Sequence, residues 1–360
     1  MISPDLSPTL VIGTGLVGAS VGAALSRAGV AVHLSDLVPS HAMVAASRGA
    51  GTTSRPDAEA IRLVVVAVPP DSLPDVIEHS LATYPQATIT DVGSVKGTVL
   101  ADLRHRGLDL SRYVGSHPMA GSQHVGPLTA KADLFIDRTW VVTPHDTSAA
   151  HAVLDVEELA RLCGARLVTM GPSHHDEAVA QVSHLPHLVS ALMAGTLTRL
   201  PAEHLRLAGQ GVRDVTRIAG SDPELWRQII TANRSAIKHE LTALQGDLVE
   251  LLGLLDDPGL LTTFLDRGRE GTRALPGKHG LAPVDYAPVV VEIPDAPGAL
   301  ARLFRDIEAA GVNVEDLSIQ HDPDREIGYL SVQVSPERAE HLRESMSGAG
   351  WTLRANEPTT

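Results

Sequence analysis

The chain has 360 residues, of which 43% are hydrophobic and 20% charged, so it can form two or three domains with well-buried cores. Its formal net charge of −14, without a lysine or arginine cluster, argues against nucleic acid or an anionic membrane as a partner. The single cysteine, Cys163, excludes an intrachain disulfide and a CxxC metal site. The N-terminal residues have no basic and long apolar leader, so we expect a protein of the reduced cytoplasm.

Predicted strands and helices alternate through the first part of the chain. The predicted strands cover residues 9–15, 30–35, 62–68 and 87–91. The predicted helices cover residues 16–27, 40–48 and 71–83. Strands separated by helices predict a parallel sheet with right-handed crossover connections, and similar α/β material continues to about Thr143.

A glycine-rich loop joins the first strand to the first helix. In Gly13-Thr14-Gly15-Leu16-Val17-Gly18, the first glycine permits a tight turn, the second lets a pyrophosphate approach, and the third lets helix and strand pack closely. The helix start, at Leu16, Val17 and Gly18, offers backbone N–H groups to phosphate. The motif therefore predicts a Rossmann-type dinucleotide-binding domain.

Asp36 lies at the end of the second predicted strand, 18 residues after Gly18. A carboxylate at this place accepts hydrogen bonds from a ribose diol and repels a 2′-phosphate. No lysine or arginine follows at residues 37–41 to offset that repulsion, so we predict NAD rather than NADP as the cofactor. The alternative is that Asp36 only caps the next helix.

After Gly171-Pro172 the pattern becomes helical up to about Leu255. Ser221 and Glu224 form a predicted capping box, and apolar residues then recur at helical spacing as far as Leu251. A single helix of about 30 residues would exceed the usual length. We therefore expect a partner surface and a homodimer.

The chain as a whole predicts an α/β fold in three domains. They are an N-terminal domain with a Rossmann-type parallel sheet (residues 1–172), an all-helical substrate and dimerisation domain (173–266) and, after a Gly/Pro-rich linker (267–284), a small βαββαβ unit (285–360).

Side chains for proton transfer occur in two motifs of the first domain. SHPMAG at 116–121 places His117 at the carboxyl edge of a predicted strand, where open α/β sheets bind their ligands. An imidazole, whose pKa is near neutral, suits the removal of a proton from an alcohol. Ser94, after another strand, is placed to orient that imidazole. The alternative for His117 alone is a loop histidine with only structural hydrogen bonds.

The helical domain supplies a second histidine and two arginines. SHLPH at 183–187 contains His184, and Pro186 there is expected to kink the helix. Zinc is considered because His174 and His175 are nearby, but no cysteine or HExxH motif accompanies them, so we predict no metal site. Arg213 and Arg217 are four residues apart, which on a helix gives a clamp for carboxylates. The alternative is an ordinary solvated pair.

With these motifs the chain resembles the prephenate/arogenate dehydrogenase family of tyrosine biosynthesis. GTGLVG, DVGSVKG, GSHPMAG, VSHLPH and GVRDVTRIAGSDPELW occur in the family's order across about residues 9–250. The resemblance implies a cofactor domain joined to a helical dimerisation domain, with the active site in the cleft between them. It also implies an oxidative decarboxylation, in which a hydride leaves the hydroxyl-bearing ring carbon, the ring carboxylate departs as CO2, and aromatisation drives the step.

The resemblance implies a role for each polar residue. His117 resembles the catalytic histidine that accepts the proton of the ring hydroxyl, and Ser94 the serine that positions it. His184 resembles a substrate-binding histidine, and Arg217 the arginine that binds a substrate carboxylate. Arg213 is expected near the side-chain end of the substrate.

One departure bears on the substrate. This chain has Ser122-Gln123 where some prephenate-using members carry Thr-Glu, and we count both residues in the substrate site. Because Gln123 is neutral, we expect it to change how the site treats a keto or an amino side chain. The choice between prephenate and arogenate stays open, with prephenate expected as the family's default.

The C-terminal unit resembles an ACT domain through DAPGAL at 295–300 and GVNV at 311–314. The resemblance implies binding of an amino acid, with tyrosine as the expected effector. Asp295 and Gly298, in the loop before the first helix, and Asn313 are the expected effector-binding residues. The alternative is a purely structural module.

Two other classes of function fit part of the sequence. A β-hydroxyacid or 6-phosphogluconate-type dehydrogenase shares the domain plan but would place a catalytic lysine in the helical domain, where Lys238 has no supporting motif. A non-catalytic regulator that senses NAD and an amino acid would need none of Ser94, His117, His184 and Arg217.

Overall fold

The computed structural model describes residues 6–120, 126–275, 286–322 and 327–354. The chain divides into two compact units, Met1–Glu250 and Leu251–Thr360. Within the described residues, no helix combines the length and the apolar content needed to cross a membrane.

The first unit is built on parallel strands. Its main sheet has the order β2-β1-β3-β4, and all neighbours are parallel. These strands are β1 (Thr9–Ile12), β2 (Val32–Ser35), β3 (Leu63–Val66) and β4 (Thr88–Asp91). A second sheet, β5-β6-β7, consists of β5 (Gly115–Pro118), β6 (Thr139–Thr143) and β7 (Arg166–Thr169). A parallel bridge between Ile89 and Tyr113 links the two sheets, so β5 runs in the same direction as β4.

Helices cover both faces of the main sheet because its strands are apolar on both sides. The side chains of β3, LVVV, are all buried, as a doubly covered parallel sheet requires. One apolar cluster lies on each face. The covering helices are α1 (Leu16–Arg27), α2 (Pro39–Ser47), α3 (Leu73–Thr83), α4 (Gly97–His105) and α5 (Ala150–Leu162). The predicted Rossmann-type arrangement is confirmed.

The rest of the first unit is helical. Its helices are α6 (Pro172–Val179), α7 (Leu185–Leu197), α8 (Ala202–Leu205), α9 (Gln210–Thr216), α10 (Pro223–Ala232) and α11 (Arg234–Leu254), the last of which continues into the second unit. A π-helical turn, Ala180–His184, joins α6 to α7. Pro186 in the first turn of α7 has no N–H to donate to the preceding turn, which explains the local widening of the helix. The helix bend expected at Pro186 thus takes the form of this turn.

The prediction of one long helix after residue 221 is wrong. Asn233 separates α10 from α11, since its backbone, at φ −105° and ψ 26°, leaves the helical region. The predicted capping box is also wrong, because Asp222 accepts the N–H of Glu224 at 2.9 Å while the hydroxyl of Ser221 donates to the carbonyl of Ile218. A carboxylate next to the helix start competes successfully with the hydroxyl one residue earlier.

The second unit begins with the end of α11 and contains α12 (Pro258–Arg273). A three-stranded antiparallel sheet follows, in the order β8-β10-β9. Its elements are β8 (Ala287–Pro294), α13 (Ala299–Ala309), β9 (Asp316–Asp322), β10 (Ile327–Val334) and α14 (Pro336–Gly348). The last predicted strand is reduced to one bridge, between Val291 and Leu353. The small antiparallel α/β unit is confirmed, and the exact domain boundaries stay a prediction.

Candidate active site

The glycine loop after β1 has the geometry that a dinucleotide requires. Gly13 adopts φ +91°, and a Cβ there would lie 2.3 Å from the carbonyl oxygen of Ala67. A Cβ on Gly18 would lie 1.9 Å from the carbonyl oxygen of Gly13, whereas one on Gly15 would meet nothing within 4 Å. The helix α1 begins at Leu16 without a side-chain cap, which leaves the N–H groups of its first turn for phosphate. The loop therefore fits a pyrophosphate beside Gly15.

Asp36 lies next to this loop. Its Oδ2 accepts the N–H and the hydroxyl of Thr14 at 2.6 and 2.8 Å, and its Oδ1 accepts the N–H of Val38 at 2.8 Å. Partial burial raises the pKa of Asp36, but the hydrogen bonds from Thr14 and Val38 outweigh burial and leave the pKa below its ordinary value. A carboxylate has about four lone-pair sites, and these three hydrogen bonds leave about one site to accept a hydrogen bond from a ribose hydroxyl.

A buried cluster of charges fixes the strand that carries His117. Nζ of Lys96 donates to the carbonyl oxygen of Ser116 at 2.8 Å and to the carboxylate of Asp91. The same carboxylate accepts the hydroxyl of Tyr113 at 2.7 Å, and all these side chains are buried. Loss of one member would leave an uncompensated charge or polar group in the core, so the cluster holds β5 rigidly.

The ring of His117 is held by a second histidine. Nδ1 of His117 lies 2.9 Å from Nε2 of His175, and Nδ1 of His175 lies 2.8 Å from Oδ1 of Asp176. Burial, followed by the nearby His175, Lys96 and His184, holds the pKa of His117 well below 6.5. The imidazole is therefore neutral at neutral pH and can accept a proton.

Ser94 lies in the turn between β4 and α4 and is half-buried. Among the described residues its hydroxyl makes no hydrogen bond to the ring of His117, whose Nδ1 is taken by His175. The positioning role of Ser94 stays a prediction.

His184 lies in the π-helical turn, with only 1% of the residue exposed. Nδ2 of Asn233 lies 3.1 Å from Nδ1 of His184, and the ring of Trp226 meets that of His184 edge-on. Burial lowers the pKa of His184 to about 4. His187 stacks on Trp226 with ring centroids 3.5 Å apart. The fold thus brings the SHLPH motif against the end of the SDPELW motif.

The two arginines follow each other at the end of α9. Arg213 lies on α9, and Arg217 begins the 3-10 turn Arg217–Gly220; both side chains are exposed. The helix α7 packs against α9 and this turn, so the arginines and the SHLPH histidines share one helical layer. The carboxylate clamp stays a prediction. Ser122 and Gln123 lie outside the described residues.

Sequence reasoning missed three polar residues of the site: His175, Asp176 and Asn233. All three are buried. His175 hydrogen-bonds to His117 and to Asp176, and Asn233 hydrogen-bonds to His184. One signal was present in the sequence. Asn233 interrupts an otherwise apolar helical pattern, which indicates a polar residue with a buried partner.

The second unit has a cavity of its own, of about 300 Å³. Asp295 and Gly298 line it, together with apolar residues of β8 and α13. Gly298 adopts φ +86°, in the left-handed region that favours glycine. Asn313 is not part of the lining, and its amide donates to the carboxylate of Glu315 at 2.6 Å.

The fold and this site together define a dehydrogenase with a dinucleotide cofactor. Residues 21–169 match the prephenate dehydrogenase nucleotide-binding domain, and residues 171–258 match the prephenate dehydrogenase dimerization domain. The chain belongs to the prephenate dehydrogenase family. The predicted family and the predicted class, an NAD-dependent dehydrogenase, are confirmed.

Individual relatives agree with this assignment. The chain is 34% identical over 355 residues to a probable prephenate dehydrogenase, NovF, of Streptomyces niveus, covering 95% of this chain and 98% of that one. The crystal structure of prephenate dehydrogenase from A. aeolicus, in complex with hydroxyphenyl propionate and NAD+, matches with a TM-score of 0.67 and 26% identity, over 75% of this chain and 98% of that one. The crystal structure of Synechocystis arogenate dehydrogenase matches with a TM-score of 0.64 and 25% identity, over 74% of this chain and 98% of that one.

Proposed function

We propose that this protein catalyses the NAD-dependent oxidative decarboxylation of prephenate to 4-hydroxyphenylpyruvate, a step of tyrosine biosynthesis. The observation that carries the proposal is the buried, neutral imidazole of His117, hydrogen-bonded through Nδ1 to His175. Because β1, β4 and β5 run in the same direction, the glycine loop and His117 belong to the same carboxyl edge of the sheets. A base and a dinucleotide are needed together for the oxidation of an alcohol carbon.

The chemistry divides between the cofactor and the side chains. The glycine loop and Asp36 would hold NAD, which would supply the hydride acceptor when bound. His117 removes the proton of the ring hydroxyl while the hydride leaves the ring carbon that bears this hydroxyl. The bond to the ring carboxylate then breaks, CO2 leaves, and its bonding electrons complete the aromatic ring. The proton returns from His117 to the phenol oxygen, so the reaction needs no net acid or base.

Substrate binding is assigned to the helical layer. We place a substrate carboxylate on Arg217, with Arg213 towards the side-chain end and His184 as a further contact. Guanidinium groups suit this task because they bind carboxylates in a bidentate manner. The similarity to Synechocystis arogenate dehydrogenase favours a second candidate, the oxidation of arogenate directly to tyrosine. Ser122 and Gln123 are the residues through which we expect the two side chains to be told apart.

Formation of reduced cofactor from NAD, with prephenate and arogenate supplied in parallel, tests the activity. Turnover of prephenate supports the proposal, and faster turnover of arogenate would move the enzyme to the other branch. Binding of NAD without turnover of either substrate would instead support a non-catalytic sensor of NAD and an amino acid.

We also propose that the second unit is an ACT-like domain regulated by tyrosine. Its cavity, lined by Asp295 and Gly298, is of a size for a small ligand, and the carboxylate suits an α-amino group. Tyrosine is expected to raise the melting temperature of the wild-type protein, since a ligand that binds only the folded state stabilises it. Phenylalanine is the matched control ligand, and the Asp295→Ala variant should lose the effect. An unchanged melting temperature and activity with tyrosine would remove this effector.

A homodimer in the cytoplasm completes the proposal. Apolar side chains on α7 and α11 are left exposed in the single chain, among them Leu192 at 65% and Val249 at 65%. The match to a dimerization domain over residues 171–258 covers both helices. Sedimentation should give twice the mass of one chain, and the mass of a monomer would contradict the proposal. Cys163, the single cysteine, is buried, and the fold does not depend on a disulfide within the chain.

A further inference from the structure

A buried network links the side chains of His117 and His184 through residues that have no part in the sequence motifs. Asp176 is its centre. Its Oδ1 accepts the N–H of Lys96 at 2.8 Å, and its Oδ2 accepts the N–H of Gly97 at 2.7 Å, at the start of α4. Two backbone N–H groups at the start of α4 thus donate to the two carboxylate oxygens of Asp176, a placement that suits a helix start.

The carboxylate determines where the hydrogens lie on two rings. Nδ1 of His175 faces Oδ1 of Asp176 at 2.8 Å, and because a carboxylate only accepts, this nitrogen carries a hydrogen. We take the ring of His175 to carry this hydrogen alone, which leaves its Nε2 as an acceptor. It lies 2.9 Å from Nδ1 of His117, which must donate, so Nε2 of His117 has no hydrogen.

Asn233 determines the hydrogen of His184 by the same reasoning. Its Nδ2 lies 2.7 Å from the carbonyl oxygen of Asp176, and a carbonyl only accepts, so this end of the side chain is the amide NH2. The same NH2 lies 3.1 Å from Nδ1 of His184. Nδ1 of His184 is therefore the acceptor, and a neutral ring carries its hydrogen on Nε2.

We propose that His175, Asp176 and Asn233 are positioning residues that hold His117 and His184 in opposite tautomers. His117 presents a bare Nε2, which can accept a proton, while His184 presents an Nε2–H, which can donate a hydrogen bond to an oxygen of the substrate. What the two rings do to substrate rests on the proposed function, but the tautomers do not. The low pKa of His184, about 4, agrees with a neutral ring there.

The tautomers can be read directly from long-range proton–nitrogen NMR spectra of the full-length protein labelled with 15N-histidine. The His117→Asn and His184→Gln variants assign the two rings. In the wild type at neutral pH, His117 should carry its hydrogen on Nδ1 and His184 on Nε2. A hydrogen on Nε2 of His117, or on Nδ1 of His184, would overturn the proposal without any variant of His175, Asp176 or Asn233 having to fold.

Kinetics test the consequence for catalysis. The His175→Leu variant removes the acceptor for Nδ1 of His117, and kcat should fall about 100-fold, in the range that a positioned general base contributes, with KM changed less than about threefold. In His175→Gln, the side-chain oxygen can accept from Nδ1 of His117, so this variant should recover at least part of kcat. The exposed neighbour His174→Gln is the matched control and should turn over like the wild type.

The outcomes separate the two proposals. Equal kcat for His175→Leu and wild type, in a variant with the wild-type circular dichroism spectrum, would overturn the positioning role. A loss equal in His175→Leu and His175→Gln would do the same, because a merely structural role predicts no rescue by a hydrogen-bond acceptor. If the wild type oxidises neither prephenate nor arogenate, the proposed function fails, and the NMR spectra still decide the tautomers.

Discussion

Acid is expected to destabilise the first unit through the buried ring of His184. Only 1% of this residue is exposed, and its pKa is about 4 in the folded protein against 6.5 for an ordinary histidine. Between these values the unfolded chain binds a proton that the folded chain excludes. The free energy of unfolding therefore falls as the pH is lowered from 6.5 to about 4, and His184 causes no further change outside that window. At about 1.4 kcal/mol per pKa unit, the loss amounts to about 3 kcal/mol.

The His184→Gln variant isolates this contribution. Glutamine does not titrate, and its side-chain oxygen can still accept a hydrogen bond from the amide of Asn233. Urea unfolding curves, followed by tryptophan fluorescence in steps between neutral pH and about pH 4, give the free energy of unfolding of each protein. The wild type should lose about 3 kcal/mol more than His184→Gln over this range. The exposed His174→Gln variant should keep the pH dependence of the wild type.

Parallel pH dependences in the wild type and in His184→Gln would refute this reasoning. They would mean that the folded protein protonates His184 as readily as the unfolded chain does. A titration of the His184 ring by NMR gives the same answer independently, since a midpoint near 6.5 would contradict the lowered pKa. Such a result would also remove the neutral donor that we assign to this ring.

Four further outcomes are expected. Replacing the base in His117→Asn should lower kcat by roughly 10²–10⁴ with little change in KM, and an unchanged kcat would remove His117 from the reaction. In the wild type, kcat/KM should decline on the acid side only below pH 6.5, because protonation of His117 removes the base and burial keeps the pKa of His117 low. A decline centred at or above pH 6.5 would contradict the lowered pKa of His117. Arg217→Ala should raise KM about 10-fold or more, since a charged hydrogen bond contributes about 1.5–3 kcal/mol, and a normal KM would place the clamp elsewhere. Gly15→Ala should weaken NAD binding without lowering the melting temperature. Gly18→Ala should lower the melting temperature, because the added Cβ would lie 1.9 Å from the carbonyl oxygen of Gly13. Calorimetry of both variants distinguishes these effects.

Local patterns predicted the sheet of the first unit well. The residues of β3 are apolar on both faces, a pattern that predicts a strand covered by helices on both sides. The structure agrees, since β3 is fully buried. The glycine loop was equally clear because each glycine has a separate physical reason to be there. Gly13 and Gly18 exclude a side chain through backbone contacts, and those contacts follow from the strand–turn–helix connection itself.

The break at Asn233 could not be predicted in the same way. The residues on either side, from Leu225 to Leu251, keep the spacing of one continuous helix. The helix α10 ends at Asn233, and the side chain of Asn233 donates a hydrogen bond to the backbone carbonyl of Asp176, 57 residues earlier in the chain. That partner is supplied by the tertiary fold. The interruption of the apolar pattern at Asn233 indicates a buried partner, but propensity and periodicity identify neither the partner nor the helix end.

The same limit applies to the catalytic histidine. His117 was found because a histidine at the carboxyl edge of a strand is informative on its own, but its partner His175 is 58 residues away on another element. Sequence reasoning considered His174 and His175 together only as metal ligands, since adjacent histidines look alike in a sequence. The fold distinguishes them, because His175 is buried against Asp176 and His174 is exposed.

The placement of the basic groups resolves an electrostatic conflict in the proposed enzyme. The chain has a net charge of −14, which repels a dianionic substrate, and protonated histidines would help to attract it. A protonated histidine, however, cannot serve as the base. The structure separates the two tasks: His117 and His184 are buried and kept neutral, whereas the guanidinium groups of Arg213 and Arg217 are exposed. Substrate binding therefore need not depend on the protonation state of the histidines, on which proton transfer depends. For this reason we assign the substrate carboxylates to the arginines and the ring hydroxyl to His117.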